Sequence, residues 1–202
     1  MTESPRKSEA AAGGYVALTF DDGPNATTRT LLAALISCGA RATLFNTGEN
    51  AAATSSLVKA EVDAGMWVGN HSYTHPHMLT LSPSEMRDEL ALTQAAIASG
   101  GADTPKLFRP PYAETDSTLE SVAAGLGLLV VLWDVDSEDW TGAGTEAIVA
   151  AAERLQAGQV MLMHDRYATT IAAIPIIVAN LGRRSLRPGM IDPSTGRAVA
   201  PR

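Results

Sequence analysis

Two adjacent carboxylates, Asp21 and Asp22, close the apolar run in LTFDDGP (18–24), and a Gly-Pro pair turns the chain directly after them. Like charges this close repel, and one is pushed toward its protonated form unless a cation stands nearby. Residues of the required kinds lie elsewhere in the chain. The stretch NHSYTHPHM holds three of the four histidines, with His71 and His75 four residues apart. One helical turn would put two such imidazoles on the same side. Two imidazoles and one carboxylate make a three-ligand metal site with positions left open for water. His77 is set aside as a ligand because Pro76 redirects the backbone before it. FRPPY (108–112) supplies Arg109, a guanidinium suited to pairing with carboxylates and able to balance the charge on Asp21. In WDVDSEDW (133–140), Asp134, Asp136 and Glu138 read as hydrated loop and turn acids, and Asp139 as the functional one. LMHD (162–165) adds His164 after an apolar run, a group able to exchange a proton near neutral pH.

Each of these residues follows a short apolar run, and the runs predict the elements that position them. Candidate strands are YVALTF (15–20), ATLFN (42–46), MWVGN (66–70), KLFR (106–109), LLVVLWDV (128–135) and QVMLMH (159–164). Amphipathic stretches separate them, ending near Gly39, Gly65, Gly100, Gly158 and Gly182, where C-terminal glycine caps are expected. Ser82-Pro83-Ser84-Glu85 is a capping-box pattern with proline at the first helical position. Pro175 is expected to kink or restart the last helix. Alternating strands and helices predict a parallel sheet with helices outside. A closed eightfold barrel takes about 250 residues. At 202 residues the expectation is therefore an α/β fold, a distorted and incomplete (β/α) barrel. The tail RPGMIDPSTGRAVAPR reads as an irregular closure with one edge strand. In parallel α/β folds the strand ends share one face, so the residues above would converge there.

A net charge of -7 argues against a polyanionic partner such as nucleic acid. No apolar run reaches the length of about 18 residues that a membrane span requires. Cys38 is the single cysteine, which excludes an intramolecular disulfide and a thiolate metal cluster; it is expected to act as a small apolar residue. Residues 1–14 read as a flexible leader without the apolar core of an intact signal peptide, and 15–202 as one catalytic domain.

The segments TFDDGP, HSYTH, RPPY, DSEDW and LMH, in that order, resemble the motifs of the polysaccharide deacetylases, carbohydrate esterase family 4. GMWVGNHSYTHPHM, KLFRPPYAET and GMIDPSTGRAVAP are similar to the bacterial acetylxylan esterase branch. The resemblance implies a divalent metal, most often Zn2+ with Co2+ or Ni2+ able to substitute, on Asp22, His71 and His75. It implies Asp21 as general base tethered by Arg109, and His164 as general acid oriented by Asp139. The Tyr112 N–H would help hold the oxyanion, and Trp140 and Leu162 would form a recess for the acetyl methyl. The implied enzyme is a secreted monomer removing O-acetyl groups from acetylxylan and N-acetyl groups from chitin or chito-oligosaccharides. A peptidoglycan N-acetylglucosamine deacetylase and a non-catalytic, metal-dependent sugar-binding module are the alternatives. The acid–base set weighs against the second, since binding alone has no use for it.

Overall fold

The strand that carries the two carboxylates is also the centre of the sheet. In this computed structural model, which describes residues 13–201, β1 (Gly14–Gly23) pairs in parallel with β2 (Thr43–Asn46) on one side and β7 (Val160–His164) on the other. Beyond β2 come β3 (Trp67–Asn70), β4 (Leu107–Phe108) and β5 (Leu129–Val130); beyond β7 lies β6 (Val135–Asp136). The order β5-β4-β3-β2-β1-β7-β6 is a curled parallel sheet whose two edge strands do not pair. This is the incomplete barrel expected from the chain length. Those edge strands are consecutive in sequence, so residues 131–134 bridge the open seam.

Among the described residues, seven α-helices surround the sheet: α1 (Thr28–Ser37), α2 (Gly48–Ala53), α3 (Ser55–Asp63), α4 (Pro83–Ser99), α5 (Ser117–Gly125), α6 (Thr145–Ala152) and α7 (Ala168–Arg183). Alternation along β1 decides what faces them. Val16, Leu18 and Phe20 point outward and are buried with Leu31 and Leu35 of α1 and Ile174 and Ile177 of α7. Leu31 and Leu35 are four apart on one helical face, and truncating either to Ala would cost about 2–5 kcal/mol. Ala17 points inward with Phe45, Leu107 and Val160, where Ile191 and Ala198 plug the barrel floor. Those last two belong to a hairpin of β9 (Met190–Ile191) and β10 (Ala198–Val199), which follows β8 (Leu186–Pro188), a strand pairing with the start of β1. The tail therefore contributes three short strands rather than one.

Other differences have local causes. The 128–135 run forms two short strands on opposite sheet edges, because the chain crosses the seam at its middle. Gly39 and Gly65 take the left-handed φ expected past a helix end, at +62° and +76°. Gly182 lies inside α7, Gly100 is an αR cap with Gly101 taking the left-handed position, and Gly158 serves a turn before β7. Pro175 is accommodated within a continuous α7. The capping box at Ser82 and Glu85 forms with both hydrogen bonds. Of the expected leader, only Gly13 and Gly14 fall within the described residues, and Gly14 opens β1.

Candidate active site

Asp21 and Asp22 sit where regular pairing of β1 ends. Asp21 continues the inward face of Ala17 and Thr19, and strict alternation would send Asp22 out toward the helices. A register shift between Asp21 and Gly23, with Asp22 at φ 70°, turns the chain so that both carboxylates line the same cleft. Gly23 is required there: a Cβ would lie 2.8 Å from Asn46 Oδ1.

Behind Asp21 stands Arg109, fully buried. Its Nη1 donates to Asp21 Oδ1 at 2.8 Å and to Thr19 Oγ1 at 2.6 Å, and its Nη2 donates to the Leu132 carbonyl at 3.0 Å. The guanidinium carbon lies 4.3 Å from the Phe45 ring centroid. Burial lowers the Arg109 pKa, and the Asp21 charge and hydrogen bond act against that shift. One carboxylate oxygen of Asp21 is thus held, and Oδ2 is left toward His71, 3.7 Å from its Nε2.

The ladders bring the remaining groups to the same level. Asp21 is opposite His164 on β7, and Asn70 is opposite Phe108, so His71 and Arg109 follow at neighbouring strand ends. His71 Nε2 and His75 Nε2 each lie 3.4 Å from Asp22 Oδ1. The histidines do not share a helical turn. They lie in a loop in which Ser72 and His75 take left-handed φ values of 62° and 60°, and this geometry brings the rings to 5.0 Å. The donor atoms of Asp22, His71 and His75 lie within 4.8 Å of one another. His71 Nδ1 is 2.7 Å from the Arg109 carbonyl, which can only accept, so Nδ1 carries a proton and Nε2 is the ring atom turned to the cluster. The donor set fits a divalent cation. Burial alone would raise the Asp22 carboxyl, yet the His71 hydrogen bond and the charges of His71, His164 and Arg166 hold it well below the usual carboxylate range. Burial and the neighbouring His71 push the His75 imidazole down.

Across the cleft, His164 Nδ1 is 2.7 Å from Asp139 Oδ1. Asp139 Oδ2 accepts from the His164 N–H at 2.8 Å and from Thr170 Oγ1 at 2.7 Å. Burial opposes the charged imidazole, but the Asp139 hydrogen bond and the Asp21 charge outweigh it and raise the His164 pKa. Burial likewise opposes the charged Asp139, which the His164 hydrogen bond nonetheless holds below its ordinary value.

The cleft has a volume of about 410 Å³. Asp21, Asp22, His71, His75, Tyr112, Trp140, Leu162 and His164 line it, with Arg109 and Asp139 buried behind. Trp140 is 57% exposed at the mouth, whereas Leu162 is 4% exposed at the wall. Tyr112 adopts φ 57°, ψ 16°, a left-handed conformation uncommon for a bulky residue. His77 stacks on the Tyr112 ring at 4.2 Å and meets Glu114 Oε1 through Nδ1 at 3.0 Å. Here is a use for the histidine that ligand spacing left unemployed. Arg166, which no motif points to, reaches back to Asp22 Oδ2. Thr19, two residues before Asp21 and therefore on the same strand face, is the support that period-2 alternation could have indicated.

Comparison with known proteins identifies the family. Residues 8–131 match the family described as polysaccharide deacetylase. A family 4 carbohydrate esterase from Streptomyces lividans, solved in complex with acetate, superposes with a TM-score of 0.94 at 60% identity, covering 95% of this chain and 100% of that one. A bifunctional xylanase/xylan deacetylase of Cellvibrio japonicus is 52% identical over 190 residues, 93% of this chain but 29% of the relative's length. A chitooligosaccharide deacetylase of Bradyrhizobium is 35% identical over 155 residues, 75% of this chain and 71% of the relative. On a family match over more than half of its length and relatives of this identity, the chain belongs to the polysaccharide deacetylases, carbohydrate esterase family 4.

Proposed function

We propose that residues 15–202 form one catalytic domain of a secreted, monomeric hydrolase that removes O-acetyl groups from acetylxylan and N-acetyl groups from chito-oligosaccharides. One observation carries this reading: a carboxylate with one oxygen tied to Arg109 faces, across a cluster of donors suited to a cation, a histidine tied to Asp139. A binding module would have no use for such an opposed pair. The nitrogen and oxygen donors of Asp22, His71 and His75 suit Zn2+. Held there, it would supply Lewis acidity to the acetyl carbonyl and to water.

The rest is the work of the chain's own groups. Asp21 Oδ2 takes the proton of the attacking water, while Arg109 fixes the other oxygen and so the direction of the free one. His164 donates from Nε2 to the departing sugar oxygen or nitrogen, because Nδ1 is engaged by Asp139. The Tyr112 N–H serves the developing oxyanion. Trp140 and Leu162 give the acetyl methyl an apolar contact. The relatives named for xylan and chitooligosaccharide substrates support the two acetyl linkages chosen. No helix of the described residues is long and apolar enough to cross a membrane. With the charge of -7, this suits an enzyme working on neutral polymers in solution.

The test is acetate release from acetylxylan, N-acetylated chito-oligomers and peptidoglycan, before and after chelation and after return of Zn2+ or Co2+. Release from the first two substrates that chelation abolishes and metal restores is expected. Full activity in metal-free protein overturns the mechanism, and preferential action on peptidoglycan overturns the substrate assignment.

A further inference from the structure

Beneath the cleft floor lies a set of buried polar groups that the chemistry above does not use. Glu61 of α3 and Asn46 at the end of β2 are both fully buried. Asn46 Nδ2 donates to Glu61 Oε2 at 2.6 Å. The two remaining oxygens, Asn46 Oδ1 and Glu61 Oε1, are buried acceptors to which no described group donates. Among the described residues no Lys, Arg or His pairs with Glu61; the charged group facing it is Asp165, at the end of β7, which has the same sign. The elements packed on α3, namely α1, α2, α4 and β3, bring no charge to it. An ionised Glu61 would be a buried charge without a counter-charge, close to a second buried carboxyl, which is strongly unfavourable.

We propose that Glu61 is a neutral carboxylic acid in the folded protein, clasping the Asn46 amide through two hydrogen bonds, and that it acts as a positioning residue for His71. One proton removes both anomalies: the acid O–H supplies the donor that Asn46 Oδ1 lacks, while the amide N–H serves the other Glu61 oxygen. A side-chain amide paired in this way has a fixed orientation, and the backbone around Asn46 holds the site. The Asn46 carbonyl accepts the His71 N–H at 3.0 Å, and the next residue, Thr47, donates to the Gly23 carbonyl at 2.9 Å. Asn46 is also the ladder partner of Gly23 on β1 and of Asn70 on β3. The clasp thus braces the turn after Asp22 and the approach of His71 together. The effect on His71 rests on the metal site proposed above; the protonation of Glu61 stands without it.

Burial, with repulsion from Asp165, pushes the Glu61 carboxyl up to about 8 from an ordinary 4.5. The folded protein then keeps a proton that the unfolded chain has lost between those values. The clasp's contribution is therefore complete below the lower value and is lost as pH rises toward and through about 8.

The test compares wild type, Glu61→Gln and Glu61→Ala by thermal unfolding from pH 6 to 9, with metal affinity measured by chelator competition. Glutamine offers the same donor–acceptor pair and cannot ionise. The wild-type Tm should fall with rising pH by several degrees more than that of Glu61→Gln. Glu61→Ala should show a low Tm at every pH and bind metal about tenfold more weakly at pH 7, with Glu61→Gln restoring wild-type affinity. Parallel wild-type and Glu61→Gln curves, or metal affinity unchanged in Glu61→Ala, would overturn the proposal. Should Glu61→Gln not fold, carboxyl carbon NMR of glutamate-labelled wild type decides. One neutral glutamate at pH 7 supports the protonation and eleven ionised ones refute it, whatever the acetate-release assay shows.

Discussion

Two groups of buried carboxyls lie on either side of the β1 turn, and they are held in opposite ways. Toward the cleft, Asp21 meets a guanidinium and Asp22 meets two imidazoles and Arg166, and Asp22 is held below the carboxylate range. Behind it, Glu61 meets an amide while Asp165 meets the Thr28 hydroxyl and the Asn25 amide; burial pushes these two up to about 8 and about 6. Desolvation acts on both groups in the same direction. The difference is made by the partners: a cation can repay the loss of hydration, whereas a neutral donor repays only part of it. Depth in the fold therefore does not distinguish a reactive carboxyl from a structural one. The formal charge of its neighbours does.

The sharpest way to break this contrast is Asp21→Asn. The amide keeps an oxygen for Arg109 but can neither accept the water's proton nor balance the guanidinium. Acetate release should fall by about 10³-fold, metal content should stay near stoichiometric, and the Tm should drop because a buried cation loses its counter-charge. An unchanged Tm would mean that the front pair is held as the rear one is. A smaller loss is expected for His164→Ala, about 10² in turnover, greater for amide than for ester substrates because an amine leaves poorly without a proton. Since Asp139 raises His164, Asp139→Asn should move the alkaline fall in rate to lower pH; a fixed pH profile would exclude His164 as the acid. The smallest effect belongs to the rear group. Thr28→Val removes the 2.8 Å hydrogen bond to Asp165 and should cost about 1 kcal/mol, or 2–4 °C in Tm, with turnover within about twofold. A large loss of turnover there would dissolve the division between the two groups.

The barrel and the convergence of strand ends were legible because apolar runs and glycine punctuation survive in one dimension. So were most residues of the cleft, which stand at or after the ends of such runs; Asp136, read as a hydrated loop acid, and Trp133 line it as well. What stayed hidden depends on backbone conformation or on contacts across the fold. The four-residue spacing of His71 and His75 suggests a helical turn, yet two left-handed residues in a loop do that work. Glu61 sits in an ordinary amphipathic stretch, where an acid reads as solvated. Only its spacing of three from the buried Val58 hints that it faces inward. The run 128–135 looks continuous, since nothing local marks the point at which the chain leaves one sheet edge for the other. Arg166 and Thr170 meet the site through α7 and the turn before it, a proximity no pattern encodes.

That crossing gives Arg109 a second duty. The barrel's circumference is completed at the seam by residues 131–134 rather than by a strand ladder, and the Arg109 guanidinium reaches across the interior to the Leu132 carbonyl in that bridge. The same group grips Asp21. Closure of the cylinder and orientation of the proposed base are thus fastened by one stitch. Natural selection for a sound scaffold and for a working reaction falls on the same side chain. A descendant that abandoned the chemistry would still be under pressure to keep this arginine, so its presence in a relative testifies to the architecture before it testifies to activity.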